Sequence, residues 1–186
     1  MPLAIAAVVL SFGLAACSGR PSRSAKVSAR DRAPQGWDIE LAPKGEPGER
    51  LVVSGVVYRP DRTPAVSVKV RVYHADRHGQ YARSGEERRG PRLAGTLRTD
   101  ERGQYRFHTV MPGSEGGARP HIHYEVWGKG IERQAILLQL DERSTIAPDW
   151  TLRPPGMPPE LNTSTHPRMM RDKMGVLHCS YNLWLH

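Results

Sequence analysis

The strongest constraint on the fold is an alternation. Val66, Val68, Val70 and Val72 interleave with Ser67, Lys69 and Arg71, the period-two pattern of a strand with one face buried and one face wet. The run from Leu51 to Tyr58 is β-branched and apolar, and Pro60 to Pro64 breaks it. Further short runs at 96–99, 104–109, 121–127 and 135–140 read as strands, with Asp100 to Gly103 predicting a hairpin turn. Near the end, Leu177, Cys179, Tyr181, Leu183 and Leu185 alternate with polar neighbours and predict a closing strand within 176–185. No amphipathic helix and no internal repeat stands out. The 18 glycines and 16 prolines in 186 residues fit many turns. The fold class expected is all-β, an antiparallel sandwich of about seven to eight strands.

The organisation expected is an export signal at 1–16, a tether at 17–49, the sandwich at 50–152, and an irregular tail at 153–186 that holds the closing strand. The signal rests on an uncharged apolar run, Pro2 to Ala16, too short to span a bilayer comfortably. It ends Leu14-Ala15-Ala16-Cys17, which resembles a bacterial lipobox and implies acylation of Cys17, a membrane anchor and an exported location. No Lys or Arg precedes the run. With Cys17 lipidated, Cys179 has no partner for a disulfide and is expected as a small buried hydrophobe. The net charge is +8, yet the basic residues are scattered among acids and no nucleic-acid module accompanies them, so nucleic acid is not an expected partner.

The sharpest local signal is His121-Ile122-His123. Residues two apart on a strand share a face, so the imidazoles project together and Ile122 turns inward. Such a pair is either half of a metal site or a surface pair. His74, His78, His108, His166, His178 and His186 show no ligand spacing, and most of them are expected at the surface.

The wider context is specific. Gly55-x-Val57 and Thr63-Pro64 precede Val72-Tyr73-His74-Ala75-Asp76-x-x-Gly79-x-Tyr81. Thr99-Asp100-x-x-Gly103-x-Tyr105-x-Phe107-x-Thr109-x-x-Pro112-Gly113 follows, and then Arg119-Pro120-His121-Ile122-His123. This order of motifs, from about residue 46 to about 140, resembles the intradiol ring-cleavage dioxygenases, the catechol and protocatechuate enzymes. The resemblance implies a ferric, non-haem iron, Fe(3+), held by two tyrosinates and two histidines. It implies a small aromatic diol and O2 as substrates, with cleavage between the hydroxylated carbons to a muconate-type diacid. By position, Tyr81 takes the place of the first tyrosinate, and His121 and His123 take the histidine places. Arg119 takes the place of a cation that stabilises the developing carbanion, and Gln134 that of a glutamine on the substrate side. Tyr105 falls at a structural position.

The second tyrosinate is absent: no Tyr lies between Tyr105 and His121, and Glu115 falls at that place. Three readings follow. Glu115 ligates the metal through carboxylate oxygen; or the metal keeps three protein ligands; or the site is lost and Glu115 is a loop residue. A carboxylate suits ferric iron, ferrous iron or zinc, and it is a weaker base than phenolate. The competing function is a non-catalytic metal- or ligand-binding module on the same sandwich.

Overall fold

A computed structural model of the chain describes residues 36–140, 167 and 169–186. The export signal, Cys17 and His166 lie outside the described residues. Ten strands run in chain order: β1 (Asp38–Glu40), β2 (Arg50–Tyr58), β3 (Lys69–His74), β4 (Leu93–Arg98), β5 (Gln104–Val110), β6 (His121–Gly128), β7 (Ile131–Gln139), β8 (Met169–Arg171), β9 (Leu177–Ser180) and β10 (Leu183–Trp184). Among the described residues there is no α-helix, only one 3-10 turn at Glu87–Arg89, and no helix is long and apolar enough to cross a membrane.

The strands form two sheets. One has six strands in the order β1-β5-β2-β9-β8, with β10 also on β2; the other has four in the order β4-β3-β6-β7. One apolar core joins them. It includes Leu51, Val53 and Phe107 from the first sheet and Val70, Val72, Ile122, Tyr124 and Leu138 from the second, each at most 1 % exposed. Burying each such side chain contributes about 1.5–3 kcal/mol, so the alternating pattern decides which face of each strand turns inward. The all-β sandwich expected from the sequence is what the chain forms.

Details depart from expectation for physical reasons. Residues 36–49 are not tether: β1 pairs in parallel with β5, and Ile39, Leu41 and Ala42 are buried. Few apolar residues there conceal the strand, but these three suffice. Val66 is exposed and Ser67 is left-handed (φ 56°), so the valine alternation begins in a turn and the strand only at Lys69. The Asp100 turn forms, with its carboxylate accepting from the backbone N–H groups of Arg102 and Gln104. It is no hairpin, however, because β4 pairs with β3 and β5 with β2; the turn carries the chain from one sheet to the other. The closing strand is two strands, β9 and β10, both parallel to β2. The tail also contains β8, antiparallel to β9.

Two expectations about single residues divide. Cys179 is buried, and burial pushes its thiol up to about 12. His74 is not at the surface: it is fully buried. Its Nδ1 lies 2.6 Å from the Ala75 carbonyl oxygen and its Nε2 2.7 Å from the Thr109 hydroxyl. The carbonyl can only accept, so Nδ1 carries the proton and Nε2 accepts from Thr109. Both ring nitrogens are satisfied with the ring neutral, which is what makes its burial tolerable.

Candidate metal centre

β6 opens with His121 and His123, whose side chains leave the sheet on the side opposite buried Ile122 and Tyr124. The register sets their neighbours. Tyr73 on β3 is the partner of His123, Arg71 of Glu125, and Lys69 of Trp127. The outward face of β3 and β6 is therefore polar and aromatic, while the inward face is apolar.

Tyr81 comes from the β3–β4 connection. Asp76 organises that loop by accepting from the backbone N–H groups of His78 (2.9 Å) and Gln80 (3.1 Å), an Asx-type turn. The Arg92 backbone N–H donates to the Tyr81 carbonyl at 2.7 Å. The Arg92 guanidinium donates to both carboxylate oxygens of Glu46 and, at 3.3 Å, to Asp76. Bonding to Arg92 holds the Glu46 carboxyl below its ordinary range. Burial raises the Asp76 carboxyl, but the Gln80 and His78 amides and Arg92 more than offset it.

Glu115 comes from the β5–β6 connection. Gly116 and Gly117 both have positive φ (51° and 87°), and the Ala118 N–H donates to the Glu115 carbonyl at 2.6 Å, a tight turn that two glycines make inexpensive. This loop lies directly against the Tyr81 loop. The Gly113 N–H donates to the Asp76 carbonyl at 2.8 Å. A Cβ on Gly79 would fall 1.9 Å from the Ser114 carbonyl oxygen, and one on Gly113 2.3 Å from that of Arg77. Glycine at both positions is what lets the two loops touch.

The loops bring Tyr81 to the histidines. Its hydroxyl lies 2.9 Å from Nε2 of His123 and 3.1 Å from Nε2 of His121. The imidazole planes are nearly perpendicular, at 80°. Nδ1 of His121 donates to the Arg119 carbonyl at 2.7 Å, which leaves the Nε2 lone pair facing Tyr81. A Glu115 carboxylate oxygen is 3.8 Å from Nε2 of His121. Burial, and then the Glu115 charge, raise the Tyr81 phenol to about 12. Burial and the neighbouring His121 lower His123, against the opposing pull of Glu115 and Glu125. Unmetallated at neutral pH, Tyr81 is therefore a neutral phenol and His123 favours its neutral form.

This donor set fits a metal ion. Donors bound about 2.0–2.1 Å from one cation, with about 90–110° between bonds, lie about 2.8–3.4 Å apart; the observed 2.9 and 3.1 Å fall within that spacing. Among the described residues no group of three His, Cys, Asp or Glu side chains is placed to hold a metal ion, so a metal here would need the Tyr81 phenol beside the two imidazoles, and Glu115 as placed stands outside that set.

Four of the residues singled out in the sequence thus converge: Tyr81, His121, His123 and, farther off, Glu115. Arg119 supplies its backbone carbonyl to this cluster. Gln134 does not join it. It pairs with Val126 and so faces away from the imidazoles, and its amide is bonded to the backbone N–H and carbonyl of His186. Tyr73 was missed, although the period-two rule puts it on the His123 side of the sheet. It stacks on His123 (4.6 Å, 6°) and, with Tyr81, Ala82, Glu87, Gly90 and Pro91, lines a cavity of about 460 Å³.

Two strand-borne imidazoles and one loop phenol, brought together on a β-sandwich, define a candidate metal centre. Residues 28–119 match the family model described as Dioxygenase, a match that ends two residues before His121. The chain is 33 % identical over 115 residues to the protocatechuate 3,4-dioxygenase beta chain of Burkholderia cepacia, covering 54 % of this chain and 49 % of that one. It is 27 % identical over 114 residues to catechol 1,2-dioxygenase 2 of Acinetobacter lwoffii, covering 52 % and 42 %. It thus spans less than half the length of either relative. Its fold is similar to that of an intradiol ring-cleavage dioxygenase from Tetranychus urticae, with TM-score 0.57 and 23 % identity, over 79 % of this chain and 85 % of that one. The sequence matches point toward the dioxygenases, and the structural likeness, at 23 % identity, shows the fold alone.

Proposed function

We propose that this chain is an intradiol-type dioxygenase. It would hold ferric iron through Tyr81, His121 and His123, with Glu115, now 3.8 Å from Nε2 of His121, drawn in as a fourth, carboxylate ligand on binding, and cleave catechol-type aromatics between the two hydroxylated carbons. Both atoms of O2 end in the two carboxyl groups of the product. The observation that carries the reading is the convergence of the Tyr81 oxygen on two imidazole nitrogens at 2.9 and 3.1 Å.

A ferric ion held there by Tyr81, His121 and His123 would supply Lewis acidity toward a bound catecholate. The protein's share is positional. The Arg119 carbonyl fixes the tautomer of His121. The cavity walled by Tyr73, Tyr81 and Pro91 is within the size range of small-molecule sites, about 300–1,000 Å³, and takes the ring. Glu115 accepts a substrate proton. Because a carboxylate is a weaker base than phenolate by about 6 pKa units, turnover is slower than with a tyrosinate there. Gln134, bonded to His186, has no part in this scheme.

O2 uptake by the iron-loaded protein, with catechol and protocatechuate as probes and diacid product measured, tests the reading. Stoichiometric uptake and product support it; neither, from protein with a full complement of iron, overturns it. The second reading, a non-catalytic metal-binding module, is favoured by one observation: Glu115 replaces tyrosine and its side chain is 45 % exposed.

The Leu14 to Cys17 sequence supports export and acylation at Cys17, with the domain held at a membrane. Cys17→Ala should release the protein from the membrane fraction; unchanged partitioning would refute the anchor.

A further inference from the structure

A continuous column of contacts leads away from His123 along the outward face of the four-stranded sheet. The Tyr73 ring lies parallel to the His123 imidazole, 4.6 Å between centroids. The Arg71 guanidinium lies 4.5 Å from the centre of the Tyr73 ring on the neighbouring strand position. Arg71 donates to Glu125 at 2.7 Å, and Glu125 also accepts from Arg133 at 2.6 Å. Arg133 in turn lies 4.2 Å from the Trp127 ring centre. Arg71 is only 2 % exposed, which is unusual for a cation and requires fixed partners.

We propose that Arg71 and Tyr73 are positioning residues for the candidate metal centre, Tyr73 holding the plane of His123 and Arg71, anchored by Glu125, holding Tyr73. The inference rests on the metal reading above, because a fixed imidazole plane matters most when Nε2 has to meet a cation.

The physical case has three parts. A metal-ligating imidazole is useful only if its ring is held, and the other ligating ring is held by a hydrogen bond from Nδ1 to a backbone carbonyl. For His123 the parallel ring of Tyr73 restricts rotation about χ2, since rotation would drive the imidazole edge into the ring face. A guanidinium on the other contact of Tyr73 is attracted to its π face and draws electron density from it. Arg71, Tyr73, His123 and Glu125 all lie on strand positions fixed by the β3–β6 register, so this part of the column places His123 as accurately as the sheet itself.

The test compares the full chain with Tyr73→Leu, Tyr73→Phe and Arg71→Met. Leucine keeps apolar bulk without a ring plane, and phenylalanine keeps the plane without the hydroxyl. Iron affinity and the visible charge-transfer band are read first. Tyr73→Leu should weaken iron binding about tenfold to a hundredfold, the usual range for outer-shell partners, and shift the band. Tyr73→Phe should retain both, and Arg71→Met should show the Leu effect in smaller degree. Wild-type affinity and band in Tyr73→Leu would overturn the proposal. The second readout needs no metal: the ring 1H–15N signals of His123. One ordered ring state is expected in wild type and Tyr73→Phe, and averaged signals in Tyr73→Leu. An ordered ring in Tyr73→Leu overturns the proposal. A wild-type protein that binds no iron, yet loses His123 order in Tyr73→Leu, overturns the metal reading and supports the column.

Discussion

The Tyr81 hydroxyl and Nε2 of His123 are 42 residues apart in sequence and 2.9 Å apart in space. Neither sits there by its own local preference. His123 is placed by the β3–β6 register, and Tyr81 by a loop that Asp76, Arg92 and a contact with the Glu115 loop hold in shape. The centre is therefore an outcome of tertiary structure, and its parts can be tested separately.

The contact between the two loops depends on Gly79, which has φ 78° and has the Ser114 carbonyl where a Cβ would stand. Gly79→Ala should destabilise the fold by about 1–3 kcal/mol, through overpacking and left-handed strain. It should also pull Tyr81 and Glu115 apart, so that metal affinity falls by more than an equally destabilising core change lowers it. Denaturant titration alongside metal binding checks both.

His74 should dominate one window of acid destabilisation. Its ordinary value of 6.5 is lowered to about 4, chiefly by burial. On acidification the unfolded chain takes up the proton first, so stability is full above the unfolded value and falls as pH drops from about 6.5 to about 4, by about 3 kcal/mol in all. Glu46 and Asp76, whose carboxyls are depressed, lose their contribution only at lower pH. Chemical denaturation of wild type and His74→Gln between pH 7.5 and 4.5 should give a steep slope for the first and a flatter one for the second.

Gln134 holds the backbone of His186 through two hydrogen bonds, 2.8 and 3.0 Å. Gln134→Ala should cost about 1 kcal/mol of stability and leave KM and kcat for any diol substrate unchanged. A kinetic defect without loss of stability would return this residue to the catalytic site.

Glu115 stands where the family resemblance expects a tyrosinate. Glu115→Tyr should strengthen the charge-transfer band of the iron-loaded protein, because a second phenolate would then reach the metal. Glu115→Gln should weaken iron binding by removing an anionic donor. An unchanged band in the first variant would place Glu115 outside the coordination sphere.

Much of this was legible in the sequence because alternation is a direct print of strand geometry. Val70 and Val72 turn inward, and His121 and His123 share a face, for the same reason. What the sequence concealed is what depends on pairing. β1 is too short to show a period, and the Asp100 turn looks like a hairpin although its strands enter different sheets. His74 has the spacing of any other polar residue, yet it is buried because Ala75 and Thr109 satisfy its ring. Gln134 shows why position by resemblance is not placement: its parity with Val126 turns it away from the imidazoles. Tyr73 was within reach of the parity argument, but its stacking partner becomes evident only with the β3–β6 register.

The most direct test of the central claim is metal analysis paired with the visible spectrum of the purified full chain. Bound iron, close to one equivalent, is expected, with a reddish tyrosinate-to-iron band that disappears in Tyr81→Phe and in His123→Ala. Colourless protein that takes up zinc or no metal, or a band that survives loss of the Tyr81 hydroxyl, would contradict it.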